Sequence, residues 1–460
     1  MTIDARPAHG KTLMVAVSMA LFCVQIDYFA MNLALPRMAS DFDSTATDLQ
    51  WIISIYMVTL GALMVPAGRL ADIFGRKRVL LIGITLFGLA SLLCAIAASV
   101  ATLVAFRALQ GVGAALIFPA SVSVITNAFP PAQSGRMIGL AYGIAGLGNA
   151  AGPLIGGLLT QTVGWRWIFA LNIPLAAACV LIGAFAISES RDTEAPRRID
   201  VAGLALLTAG IGVFTLTFDR ASVWGWWSLA TAGALTGAIA LLALFVVVER
   251  RVRWPLVDLS LARNMRFTVL VAAGSIANVA YGVTIFLSTV YLQDARGLDP
   301  LAAGLVFLGP SAGAAAGGVL SGRLAAGHPV RVMGVATILA AASLGLLAAA
   351  RDWALYVPTL TACGFTLGLV YAFTTVATQA VVSPQRAGEA AGIALTVMIV
   401  MGGVGVAVAS TMLERLRSTG MSTAGGIDVI FAILAAALLP AGLLVVAVAS
   451  RTADPASERC

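Results

Sequence analysis

The sequence predicts an all-α integral membrane protein, built from two six-helix bundles with two further helices inserted between them, fourteen transmembrane helices in all. Three observations carry this. Of 460 residues, 60% are hydrophobic and only 11% are charged, with a mean hydropathy of +0.97, which is more apolar surface than a water-soluble core needs. The apolar residues gather into long windows, each close to the roughly 20 residues that cross a hydrocarbon core. A charged, glycine-bearing stretch in the first half also has a weaker echo in the second, so the chain contains an internal repeat.

The first window, 12–34, follows Arg6 and Lys11 and runs on too far for the core of a cleavable signal, so it reads as the first span. Spans 2 and 3, at 51–70 and 79–98, flank the polar stretch GRLADIFGRKR at 68–78. Spans 4, 5 and 6 follow at 102–122, 138–160 and 168–187. Spans 7 and 8, at 201–218 and 228–248, stand between the halves. The second half supplies spans at 268–292, 301–320, 332–350, 354–380, 391–412 and 427–449. The expected division is a first bundle over 1–190, the inserted pair over 191–255, and a second bundle with a short tail over 256–460.

The net charge of +7 and a pI near 9.5 do not point to nucleic acid, because the basic residues sit in small groups at the ends of apolar runs. With the N-terminus inside, twenty of the 28 Lys and Arg fall on the cytoplasmic side, seven fall outside, and Arg107 lies within a span. That asymmetry predicts a multi-pass protein with both termini cytoplasmic. Cys23, Cys94, Cys179 and Cys363 lie inside apolar windows, which argues against a disulfide framework or a metal site. His9 and His328 both flank spans, leaving no material for a histidine relay or zinc hydrolysis, so an enzyme is not expected. Trp165, Trp167, Trp224, Trp226 and Trp227 lie mostly at span ends and read as interfacial anchors.

In the 68–78 stretch, Gly68 and Gly75 allow a tight turn, and Asp72 can sit at a helix N-terminus and attract Arg69, Arg76 and Lys77. Its echo, GRLAAGHPVRV at 322–332, has Ala326 where the first copy has Asp72. Gly135 and Gly139 match Gly388 and Gly392 at nearly the same separation, so the repeat maps span 2 onto span 10 and span 5 onto span 13. The order of glycine, acid and basic residues in GRLADIFGRKR resembles the loop between helices 2 and 3 of major facilitator transporters. Parallel halves with a site near the midplane suit that family.

Further segments extend the resemblance to the family's fourteen-helix drug:proton antiporters. LVAFRALQGVGAA at 103–115 resembles the helix 4 motif of proton-driven members, with Arg107 at its charged position. GLAYGIAGLGNAAGPLIGG at 139–157 resembles the helix 5 antiporter motif through Gly139, Gly148, Gly152, Pro153, Gly156 and Gly157. Glycines spaced by four give a smooth face for close helix packing, and Pro153 permits a bend. VQIDYFAMNLALP resembles helix 1, with Asp27 and Asn32 in place but Phe29 where the family usually has Thr. WRWIFALNIP at 165–174 and YLQ at 291–293 continue the match. The resemblance implies a gating role for Gly68, Asp72, Gly75, Arg76 and Lys77, and a helix 5 glycine face that seals the bundles against proton leak.

Asp27 is the most informative single residue. An ionised side chain near the bilayer centre costs about 2.5–3.5 kcal/mol on insertion scales, so it should face a cavity. Burial favours the proton-bound form of a carboxylate and a nearby arginine favours the charged form, a balance that suits proton exchange. The alternative is an acid that simply neutralises Arg107, with Arg107 tying span 4 to neighbouring carbonyls. Span 13 lacks the extra acid of some polyspecific members and Glu389 lies at its entrance instead, which leaves Asp27 as the expected sole buried proton carrier. Candidates for the substrate cavity are Phe29, Asn32, Gln110, Tyr142, Asn149, Asn278, Tyr281, Tyr371 and Gln379, although each could instead bridge helices.

The expected function is proton-coupled export of hydrophobic or amphipathic drugs and toxic compounds by alternating access. It calls for no cofactor beyond the proton gradient, and for a monomer in the cytoplasmic membrane of a bacterium whose partners are the substrate, protons and lipid. One alternative is an exporter dedicated to an endogenous metabolite or antibiotic. Another, of a different class, is a non-transporting membrane receptor or scaffold.

Overall fold

The computed structural model of the chain describes residues 7–31, 34–44, 46–191, 200–253, 255, 257, 259–324, 328–383 and 386–450. Among them there is no strand, and fourteen helices are long and apolar enough to cross a membrane. In the first half these are α1 (Pro7–Met31), α2 (Ala46–Phe74), α3 (Arg76–Ala95), α4 (Val100–Ala128), α5 (Pro131–Thr162) and α6 (Arg166–Ala186). The inserted pair is α7 (Val201–Trp224) and α8 (Leu229–Glu249). The second half comprises α9 (Met265–Val290), α10 (Pro300–Leu324), α11 (Pro329–Ala349), α12 (Trp353–Ala380), α13 (Ala387–Ser418) and α14 (Thr423–Ser450).

The first helix is described as far as Met31, Ala34 lies in a turn rather than in that span, and a short helix, Leu35–Phe42, has Pro36 in its first turn. Proline disfavours helical backbone in the residue before it but suits the start of a new helix. Several helices outrun their apolar windows: α2 covers 29 residues and α13 covers 32. Hydropathy ends where polar residues begin, whereas the backbone hydrogen-bond ladder continues through them. Beyond α9 the chain widens into a π-helical turn, Tyr291–Ala295.

Packing groups the helices. In the first half α1 lies against α5 and α6, and α4 against α2 and α3; in the second α10 lies on α12, α11 on α14, and α9 on α13. The halves meet mainly through α5 with α10 and through α2 with α13. Exchanging 2 with 10 and 5 with 13, as the sequence repeat does, carries each of these contacts into the other. The inserted helices pair with one another, and α7 lies over the seam between α2 and α13.

Candidate translocation site

Five helices of the first half converge on a charged cluster. Asp27 of α1 and Arg107 of α4 are buried, at 1% and 0% exposure, with Arg107 Nη1 2.5 Å from Asp27 Oδ2. The other carboxylate oxygen accepts hydrogen bonds from Gln110 Nε2 at 3.0 Å and from Asn172 Nδ2 of α6 at 2.7 Å. Gln110 also donates to Ser91 Oγ of α3 at 2.8 Å and accepts from Arg107 Nη1 at 2.6 Å. Arg107 Nε donates to the Ile52 carbonyl of α2 at 3.1 Å, and its guanidinium lies 4.2 Å from the centroid of the Tyr56 ring. Opposite charges and amide donors from several helices together compensate a carboxylate that burial alone would disfavour.

A cavity of about 580 Å³ lies between the two halves. Phe29, Tyr142, Asn149, Asn278, Tyr281 and Tyr371 line it. Tyr142 of α5 meets Tyr371 of α12 edge to face at 5.6 Å, and Asn149 of α5 donates to Tyr281 Oη of α9 at 3.4 Å. Asn278 of α9 donates to the Met398 carbonyl of α13 at 2.7 Å. Other parts of the wall are Gln25, Tyr28, Ser54, Thr215, Asp219 and Ser410, which the sequence reading did not single out.

Three expectations need correction. Asp27 does not face this cavity: its neighbour Tyr28 does, and Tyr28 stacks on the buried Tyr56 at 6.4 Å, so two aromatic rings lie between the cavity and the ion pair. The pairing with Arg107 and the amide donors removes the need for water at Asp27. Gln110 likewise belongs to the Asp27 cluster rather than to the cavity wall. Gln379 lies at the last turn of α12, half-buried and away from the lining residues. Asn32 lies outside the described residues.

The cavity is closed at one end. At the end that carries the 68–78 turn, a Cβ added to Gly139 would fall 2.8 Å from the Gly318 carbonyl and from the Gly322 nitrogen, so α5 and α10 meet backbone to backbone. A Cβ on Gly392 would fall 3.0 Å from the Met64 carbonyl, which brings α13 equally close to α2. Lining residues run instead from helix middles toward the opposite end, where Leu35, Ser54, Asp219 and Ser410 lie. The helix 5 glycines divide between two partners, which corrects the expectation of one sealing face. Gly139 faces the second half, whereas Gly148, Gly152 and Gly156 pack on Phe22, Phe29 and Ala30 of α1 within the same half. Gly157 is half-buried on the same helix, and Pro153 lies within α5 with its side chain outside the described set.

The 68–78 turn is also built differently from the sequence expectation. Gly68 and Asp72 lie in the last turns of α2, and Asp72 accepts from Arg76 Nε at 3.0 Å, both side chains buried. The acid at a helix N-terminus is Glu189, which follows α6: it accepts from the backbone amides of Lys77 at 3.1 Å and Arg78 at 3.2 Å. Those amides have no partner within the first turn of α3, so a carboxylate there satisfies donors and complements the helix dipole. Gly75 has φ +115°, and a Cβ would meet the Glu189 carboxylate at 2.6 Å, so glycine is required twice over. Lys77 Nζ donates to the Ala184 carbonyl at 2.7 Å, completing the tie between the turn and α6.

Fold and site together define a two-bundle membrane carrier with a central cavity. A family model described as Major Facilitator Superfamily matches residues 17–406, and the chain belongs to that superfamily, in a fourteen-helix form. It is 32% identical over 411 residues to the tetracenomycin C resistance and export protein of Streptomyces glaucescens, covering 87% of this chain and 75% of that protein. It is 33% identical over 412 residues to the multidrug resistance protein Stp of Mycobacterium tuberculosis, covering 88% and 76%. Over 465 residues it is 30% identical to the methylenomycin A resistance protein of Bacillus subtilis, covering 99% and 98%. The solved structure of the human organic anion transporter MFSD10 (TETRAN) matches with a TM-score of 0.69 over 96% of this chain and 100% of that one, at 13% identity, a likeness of fold.

Proposed function

We propose that the chain is a proton-coupled efflux antiporter of the bacterial cytoplasmic membrane, with both termini cytoplasmic, exporting hydrophobic or amphipathic compounds by alternating access. The observation that carries this reading is the buried Asp27–Arg107 pair, set behind the stacked rings of Tyr28 and Tyr56 from an aromatic cavity between the halves. The printed names of its relatives, which speak of resistance and export, support the direction of transport. With the termini inside, the closed end is cytoplasmic and the described form faces outward.

Displacement of Tyr28 and Tyr56 admits a proton to Asp27. Neutralising the carboxylate leaves Arg107 with the Ile52 carbonyl, the Gln110 amide oxygen and the Tyr56 ring as partners, a change large enough to shift α1 relative to α4 and α6. At 100 mV each proton contributes about 2.3 kcal/mol to the cycle. Substrate leaves as the proton arrives, and the protonated carrier returns. Gly139 and Gly392 let the cytoplasmic ends close during the outward phase.

A second reading, export of one cell-made antibiotic, is favoured by the single compounds named for several relatives and by Phe29, a bulky apolar residue in the cavity wall. The test of the main reading is transport in sealed vesicles of purified chain under an imposed pH gradient. An amphipathic dye should accumulate against the proton flow, and gradient-independent dye distribution contradicts coupling.

A further inference from the structure

Asp219 is the single charged side chain among the described lining residues of the cavity, and it comes from an inserted helix, α7. It stands near the end of α7 remote from the closed gate, its side chain 23% exposed. Ser54 Oγ of α2 donates to Asp219 Oδ1 at 2.6 Å. Arg220 approaches the other oxygen, Nε to Oδ2 at 3.5 Å, but lies away from the cavity: its side chain is 5% exposed and its guanidinium stacks 3.6 Å from the centroid of the Trp51 ring. A cation entering from the cavity therefore meets the carboxylate before it meets Arg220. Asp27, buried in α1, is paired with Arg107 and screened by Tyr28 and Tyr56.

The rest of the wall suits the apolar part of such a molecule. Tyr28, Phe29, Tyr142, Tyr281 and Phe286 offer aromatic surface, whose faces attract a cationic centre. A single carboxylate fits a single positive charge.

We propose that Asp219 is the charge-recognition residue of the cavity and that it binds the positive centre of a singly charged amphipathic substrate, an amine or quaternary ammonium. Its position gives the inserted pair a function in the site: α7 closes the seam between α2 and α13 and brings to the cavity wall an acid that the described lining residues of those two helices lack. The inference rests on the efflux reading for the cavity's role but is tested separately, by binding at equilibrium without any gradient.

The experiment measures the affinity of the purified full chain for ethidium and for its uncharged, unquaternised phenanthridine parent. The native chain should prefer ethidium, and Asp219→Asn should reduce that preference about tenfold, the loss of roughly 1.4 kcal/mol of charge recognition. Asp219→Glu should retain most of it. Ser54→Ala removes the hydroxyl but keeps the acid, and should keep the preference for ethidium. A native chain without preference for ethidium, an unchanged preference in Asp219→Asn, or an equal loss in Ser54→Ala and Asp219→Asn, as a helix-to-helix latch would give, overturns the proposal. Charge-selective binding without proton-driven flux would instead refute the antiport reading and leave this one standing.

Discussion

At the scale of single residues, coupling depends on how a buried carboxylate is satisfied. Asn172 donates to Asp27 at 2.7 Å from a third helix, and a hydrogen bond to a charged group contributes about 1.5–3 kcal/mol. Asn172→Leu should therefore reduce pH-driven transport by at least about tenfold with expression intact, read by initial rates in vesicles; rates within twofold of the native chain would show that the bond has no part in coupling. Arg107→Gln leaves Asp27 buried without its cation, a change that costs about 3–5 kcal/mol in comparable sites. Its melting temperature in detergent should fall clearly, and adding Asp27→Asn should restore stability without restoring coupling. Asp27 and Arg107 were legible in the sequence because a charge inside an apolar run is anomalous. Asn172 was not, since a neutral amide in a long apolar window carries no such signal even within a quoted motif. Asp219 escaped for another reason: the apolar window of span 7 ends at 218, where an acid reads as the edge of the membrane.

At the scale of elements, glycines set which helices may touch. Gly139 admits α10, and Gly152 and Gly156 admit α1, so the same substitution should do different things at different points of α5. Gly139→Leu should drive the ends of α5 and α10 apart and disfavour the form closed at that end, measured as a longer spin-label distance between the two helices; an unchanged distance would contradict the packing. Gly152→Leu acts within one bundle, against Phe29 and Ala30, and should lower thermal stability rather than open the gate. The pattern of glycines was visible in the sequence, but the partner of each was not, because spacing defines a face and says nothing of what covers it. The same holds for the turn after α2: the charges stood out, yet Glu189, which caps α3, comes from more than a hundred residues along the chain.

At the scale of the whole molecule, the fourteen spans and the repeat were readable because hydropathy and periodic motifs are properties of the chain alone. The repeat also relates the two main contacts between the halves, since its exchange of helices maps the contact between α5 and α10 onto that between α2 and α13. What the chain alone did not reveal was the separation of two tasks: a sealed ion pair inside the first half and an aromatic cavity between the halves, divided by Tyr28 and Tyr56. In alternating access such a division lets the proton act on the packing of α1, α4 and α6 while the substrate occupies a different space. The central claim is that Asp27 links the two, and the most direct measurement compares gradient-driven transport with substrate exchange in vesicles carrying Asp27→Asn. Abolished gradient-driven transport with exchange of substrate retained is the predicted result; transport that still follows the pH gradient in Asp27→Asn would contradict it.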